Sequence, residues 1–199
     1  MGLVEFHNSA GLPDEPLRSL CVEAAAPWAI APVTLRVRFS RGADFSGTCF
    51  YADRRVYVNL GRHVVYPYLI QTNLAKARTA GRCWYRPIYT LEVADACQLA
   101  WFIFLHELYH LLIKRARRNT RQKEAMCDRF AARRLVERFG RPVRTRNGRP
   151  VPRGLWDFQD LDAFVDAARD HRRTASPAAR PEPRRAATPR ARDRQLTLF

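Results

Sequence analysis

A chain of 199 residues, 47% hydrophobic and 27% charged, holds enough apolar material for one sizeable core and too little length for two. No apolar run reaches the roughly 20 residues of a membrane span, because the strongest candidate, residues 99–113, is interrupted by His106, Glu107 and His110; on that ground a membrane protein is excluded. Five cysteines without a CxxC pair suggest neither a disulfide framework nor a cysteine-built zinc site, and are read as buried thiols. Residues 1–10 lack a basic-then-apolar leader, and Phe6 stands where a myristoylation signal wants Ser or Thr, which predicts a cytoplasmic chain.

The net charge of +16 is local: residues 114–153 carry 15 basic and 3 acidic side chains and residues 171–199 carry 8 and 2, against 11 and 9 in residues 1–113 and 1 and 5 in residues 154–170. Such clustering predicts contact with a polyanion, read here as DNA bound without sequence preference. Arg144, Arg146, Arg149 and Arg153 are the candidate contacts. The competing reading is an Arg-rich helix back and a solvated tail, and the excess of 32 Arg over 3 Lys is also what a GC-rich coding sequence produces.

In chain order, residues 13–26 have helical spacing (Leu17, Leu20, Cys21, Ala24) with Asp14 and Glu15 in the first turn, ended by Pro27 and Pro32. Residues 33–39 alternate apolar and basic, while 47–52 and 55–60 are aromatic and β-branched around a short Asp53-Arg54 link; together they predict a small antiparallel meander. Residues 62–90, rich in Tyr, Trp and Arg, read as a long loop or lid with one short helix at most. Residues 91–117 predict a long helix, apolar almost all round between Leu99 and Ile113 and therefore central. Asn119-Thr120 breaks it, and Thr120 is placed to cap a second helix running to Phe139 and closed by Gly140 and Pro142, a helical hairpin. A basic Pro/Gly-punctuated stretch follows, with Asn147-Gly148 as a turn. Residues 157–171 predict an acidic amphipathic helix with Leu161, Phe164, Val165 and Ala168 inward, and 172–194, mostly Pro, Ala and Arg, predict disorder. The expected organisation is a core over 1–140, a basic loop and helix over 141–171, a disordered basic linker over 172–194 and a terminal peptide over 195–199.

His106-Glu107-Leu108-Tyr109-His110 is an HExxH sequence inside the central helix. The i, i+4 spacing sets two imidazoles on one face, where one zinc can bridge them, with Glu107 beside them as general base. Without such a role, three polar groups in an apolar helix would each cost about 1 to 3 kcal/mol if buried without partners. On the second helix, Glu124 and Asp128 share a stripe with Ala131, Leu135 and Phe139, so both point inward, whereas Arg129, Arg133 and Arg134 point out. An inward pair of like charges at i, i+4 calls for a cation beside it.

HExxH followed by Glu124-Ala-Met-Cys-Asp128-Arg-Phe130-Ala131-Ala132 resembles the gluzincin pattern HExxH…ExxxD, in particular the ImmA/IrrE-type metallopeptidases. Gly47-x-x-Phe-Tyr with Arg55-Val-Tyr-Val-Asn-Leu60 resembles the hairpin of SprT-like proteases, whose third ligand histidine has no counterpart here. The resemblance spans about residues 33–139. It implies an α+β fold with a compact, minigluzincin-like zincin core, a strand edge that holds an extended peptide, and a zinc endopeptidase in which His106, His110 and Glu124 hold the metal and Asp128 orients a ligand histidine. Met126 in place of a second Glu, and a spacing of thirteen residues between His110 and Glu124, depart from that pattern; the short hairpin keeps Asp128 open as the ligand instead. His63, Tyr66 and Tyr85 are the candidate oxyanion donors.

The chain ends Gln195-Leu196-Thr197-Leu198-Phe199, an apolar cluster after a polar stretch that has no folding reason to keep one. It resembles the QLxLF peptide by which bacterial replication and repair proteins bind the DNA polymerase III sliding clamp, which implies a polar anchor at Gln195 and pocket-filling Leu196, Leu198 and Phe199. The combined expectation is a cytoplasmic, nucleoid-associated zinc endopeptidase held at DNA and the clamp, cutting proteins crosslinked to DNA or a repressor. The alternative is a non-catalytic zinc-containing clamp- and DNA-binding regulator of replication.

Overall fold

The computed structural model describes residues 4–28, 30–121 and 123–166, and the fold is mixed α+β. The proposed linker 172–194 and the terminal peptide with Gln195, Leu196, Leu198 and Phe199 lie outside the described residues.

Strand β1 (Val4–Asn8), helix α1 (Asp14–Ala25) and strand β2 (Val33–Phe39) form a crossover unit. β3 (Phe45–Phe50) and β4 (Arg55–Leu60) complete a four-stranded sheet in the order β1-β2-β4-β3. The expected antiparallel meander is corrected here: β2 pairs with β4 in parallel, Val37 opposite Val58, and β3 is antiparallel to β4 at the edge. α1 is the kind of connection parallel strands require, and it brings β1 into register beside β2. One face of the sheet is apolar, with Val33, Leu35, Val37, Val56, Val58 and Leu60 buried against the helices. Strand β1 was not anticipated, although Val4 and Phe6 alternate with Glu5 and His7.

Residues 62–90 are not the loop expected of them. β5 (Tyr68–Thr72) pairs with β8 (Tyr89–Val93), and β6 (Arg78–Ala80) with β7 (Cys83–Tyr85) forms a separate exposed hairpin turning at Gly81, which has φ +61°. The start of the predicted long helix is thus β8. Helix α2 (Ala96–Arg115) begins at Asp95, whose carboxylate accepts from Gln98 N (2.8 Å) while Gln98 Oε1 accepts from Ala94 N (3.0 Å), a reciprocal cap. By length and composition alone α2 could cross a membrane, and this fold encloses it instead: every residue from Leu99 to Ile113 except His106 is buried.

Helix α3 (Glu124–Phe139) packs along α2 and ends at Gly140, left-handed at φ 69°, as its sequence predicts. Thr120 does not cap it. The helix starts later, at Glu124, with Lys123 at its N-cap making no side-chain cap, and the Thr120 hydroxyl is engaged with Tyr51. β9 (Arg144–Thr145) adds to β8 and turns back through Asn147-Gly148. Val143, Val151, Trp156, Leu161 and Val165 join the same buried core as α2 and α3, and the Tyr109 hydroxyl donates to the Leu161 carbonyl (2.9 Å) from inside it. Of the predicted last helix, 161–166 are helical and described.

Candidate metal centre

Three elements converge on one point. α2 carries His106, Glu107 and His110, α3 carries Glu124, Cys127 and Asp128, and edge strand β3 passes over Glu107 at Gly47. His106 Nε2 lies 3.1 Å from Glu124 Oε2, and His110 Nε2 lies 3.3 Å from Glu124 Oε1, so one carboxylate faces both imidazoles. On its other side His106 Nδ1 donates to Asp128 Oδ1 (2.9 Å), while Asp128 Oδ2 accepts from Asn73 N (2.7 Å). Both Asp128 oxygens are therefore occupied. The cation expected beside the inward acids is, in this arrangement, the His106 ring itself.

Electrostatics follow the same geometry. Burial would push the His106 pKa down, but the hydrogen bonds to Asp128 and Glu124 outweigh it and raise it to about 10. Those His106 and His110 contacts hold the Glu124 carboxyl far below its usual range. Glu107, 8% exposed, is raised, first by burial and against the pull of the two histidines. This is the direction that suits a carboxylate for taking protons near neutral pH.

One nitrogen from each of His106 and His110 and the Cys127 sulfur lie within 4.8 Å of one another, close enough to hold a metal ion. The donor chemistry fits a transition metal: two imidazoles, a thiol and a facing carboxylate, in a pocket that holds His110 Nδ1 buried without a hydrogen-bond partner among the described residues. Sequence alone marks Cys127 only as a buried thiol. Its burial is confirmed, with Cys21, whereas Cys83 is exposed and Cys49 and Cys97 are half-buried.

Two other residues at this point figure in the sequence only as members of the hairpin pattern, with no role at the site. A Cβ on Gly47 would sit 2.3 Å from Glu107 Oε1 and 2.8 Å from its Cγ, so glycine is needed there for space and not for backbone conformation. Tyr51, on the same alternation as Gly47 and Cys49, has its pKa pushed up to about 12, first by burial. Of the expected oxyanion donors, His63 pairs with Asp44 (2.8 Å), Tyr66 is half-buried and Tyr85 is exposed on β7. Gly47→Ala is expected to displace the Glu107 carboxylate and lower any activity that depends on it by about 10²-fold, the cost of a misplacement near 1 Å, with metal content unchanged. Parallel metal analysis and turnover check it.

The basic segment is more engaged than its charge count suggests. Arg129, expected outward, is 4% exposed: it donates to the Leu74 and Ala75 carbonyls (2.8 and 3.4 Å) and lies over Phe158 (4.3 Å). Those carbonyls come from a distant segment, which an amphipathic pattern on one helix does not report. Arg133 pairs with Asp157 (2.7 Å), and Arg153 pairs with both Glu137 (2.6 Å) and Asp157 (2.8 Å). Arg144 is half-buried and donates to the Gly148 carbonyl (2.8 Å), whereas Arg146 and Arg149 are exposed on the turn beside β9. Comparison with known proteins finds no family model, curated protein or solved structure that matches the chain.

Proposed function

We propose that this chain is a zinc-dependent endopeptidase brought to DNA and to the replication sliding clamp, where it cleaves DNA-associated proteins. The observation that carries the reading is the convergence of His106, His110 and Glu124 with Glu107 buried beside them under β3, the last strand of its sheet among the described residues. His106, His110 and Glu124 are the proposed ligands, with Asp128 fixing the His106 ring from behind, because both Asp128 oxygens are already used. Bound zinc would polarise a peptide carbonyl and acidify a water molecule. Glu107 removes the proton from the attacking water and returns it to the leaving amine. β3 is the edge strand of its sheet, so an extended substrate can add to it as a further strand, its backbone held by main-chain hydrogen bonds. Cleavage of casein that a chelator abolishes and zinc restores tests this reading. Cleavage that survives chelation sinks it.

Recruitment is assigned to the terminal pentapeptide. Deleting residues 195–199, or changing Leu198 and Phe199 to Ala, is expected to abolish binding to purified bacterial clamp while leaving zinc content and casein cleavage unchanged, since a tethered peptide contributes local concentration and no chemistry. Calorimetry on both proteins checks it: equal binding by the truncated chain removes the clamp from the proposal.

One observation favours the second reading, a non-catalytic metal-holding module that binds clamp and DNA. The Cys127 sulfur lies near enough to His106 and His110 to hold a metal ion with them, and a set of two His, one Glu and one Cys would be closed, as structural zinc sites are.

A further inference from the structure

We propose that the solvent face of the four-stranded sheet is a nucleic-acid-binding surface, with the phosphate backbone lying across Arg36 and Arg38 and entering a concavity beside Arg41. The inference rests on the DNA part of the proposed function and is independent of the metal.

The alternation that buries Val33, Leu35 and Val37 turns Thr34, Arg36 and Arg38 outward, and the register sets them in rows with the outward residues of β4 and β3. Thr34, Arg55 and Phe50 form one row, Arg36, Tyr57 and Thr48 the next, and Arg38, Asn59 and Ser46 the third. Guanidinium groups gather on the central ring: Arg38, Arg55 and Arg36 lie 4.4, 5.4 and 6.0 Å from the Tyr57 centroid. Planar cations stacked in this way lose less freedom on meeting a phosphate than free side chains would.

The third row opens into a concavity of about 590 Å³ lined by Arg38, Phe39, Ser40, Arg41, Ser46 and Asn59. Arg38 Nε donates to Asn59 Oδ1 (2.6 Å) and Asn59 Nδ2 to Ser46 Oγ (2.9 Å). That chain fixes the guanidinium while giving its terminal nitrogens no acceptor among the described residues. Arg36, Arg38 and Arg41 make no ion pair among the described residues. The acids on or beside this face each have a partner: Glu5 accepts from Thr34 (2.9 Å) and faces His7 (3.5 Å), Asp44 meets His63 and Tyr68 (2.8 Å each), and Asp53 pairs with Arg55 (2.8 Å).

The chemistry favours a polymer of phosphates. Arg36 and Arg38 stand about 6.6 Å apart along one strand, a line of charge and not a single point. No Asp or Glu occurs from residue 54 to 91, so flanking residues such as Arg62 extend the positive field. A lipid surface would want apolar anchors, and none of the exposed large hydrophobics among the described residues lies on this face.

The test is fluorescence anisotropy of a labelled DNA duplex with the full chain over a salt series. Wild type should bind with a steep slope, and the triple variant Arg36→Glu, Arg38→Glu, Arg41→Glu should bind at least 100-fold more weakly, with the slope reduced by about 2 to 3, near 0.9 for each phosphate lost. The corresponding triple Lys variant should keep most of the slope, which separates lost charge from misfolding. Changing Arg146 and Arg149 to Glu should weaken binding, and lower the slope, much less than the triple Glu variant does. Full affinity in the triple Glu variant, or loss carried by Arg146 and Arg149, overturns this surface and leaves DNA binding standing. No duplex binding by wild type at low salt overturns both. Binding of inorganic pyrophosphate or anionic vesicles without duplex binding overturns the choice of nucleic acid.

Discussion

Glu107→Gln is expected to lower peptide cleavage by about 10² to 10⁴-fold, the usual share of a general base, while fold and bound metal stay as they are. Glutamine has the size of glutamate, so it fits the space that Gly47 leaves beneath β3, where Glu107 comes within 2.3 Å of a Cβ position. Burial already disfavours the ionised carboxyl there, so a neutral amide removes a desolvation cost and leaves stability equal or slightly raised. The readout is therefore clean: turnover falls, melting temperature and metal content do not. Equal cleavage by the variant would remove Glu107 from the chemistry and leave the closed, non-catalytic site as the better account. Loss of metal would instead make Glu107 a structural group. Because Gly47→Ala acts on the same carboxylate by displacement, it should reproduce the defect in weaker form, and the two changes together should cost little more than Glu107→Gln alone.

The parts of this centre that were legible in sequence are those dictated by helix geometry. Two histidines at i, i+4 must share a face, and the 100° stripe through Glu124, Asp128, Ala131 and Leu135 turns both acids toward α2. What sequence could not show depends on distances between elements. Cys127 becomes a ligand candidate only because α3 lies against α2 at that level, and Gly47 matters only because β3 passes so close to Glu107. The alternation in residues 33–39 and 55–60 reported which face each strand buries and said nothing of which strand lies beside which, so the parallel β2–β4 pairing was out of reach. The start of α2 was within reach: Asp95 with Gln98 three residues on is a capping signal, overshadowed by the apolar residues 91 and 93 that belong to β8. What sets Asp128 apart from Glu124 in contacts is the backbone N–H of Asn73, fifty-five residues away, which no helix pattern reports.

Zinc affinity is expected to rise about tenfold per pH unit between pH 7 and 9, and His106→Ala to lose the metal outright. The sign follows from His106, whose pKa is raised from 6.5 to about 10. Its imidazolium therefore stabilises the metal-free fold fully below pH ~6.5, and that contribution is lost as pH rises through about 10. Glu124, with its pKa lowered, adds stability above its ordinary carboxyl range that is lost as pH falls below it. A metal on His106 Nε2 must displace the proton shared with Glu124, so one proton leaves per ion bound and affinity climbs with pH across this window. The Cys127 thiol is also held well above 9 by burial. If its sulfur joins the ligand set, a second proton leaves and affinity climbs about a hundredfold per unit, returning to tenfold in Cys127→Ala. Asp128→Asn should weaken zinc by about 10 to 100-fold, since the ring it holds is freed while the ligands remain. Glu124→Ala should cost more. Chelator competition at three pH values decides among these: a flat profile removes His106 Nε2 from the ligand set, and a larger loss in Asp128→Asn than in Glu124→Ala exchanges the roles of the two acids.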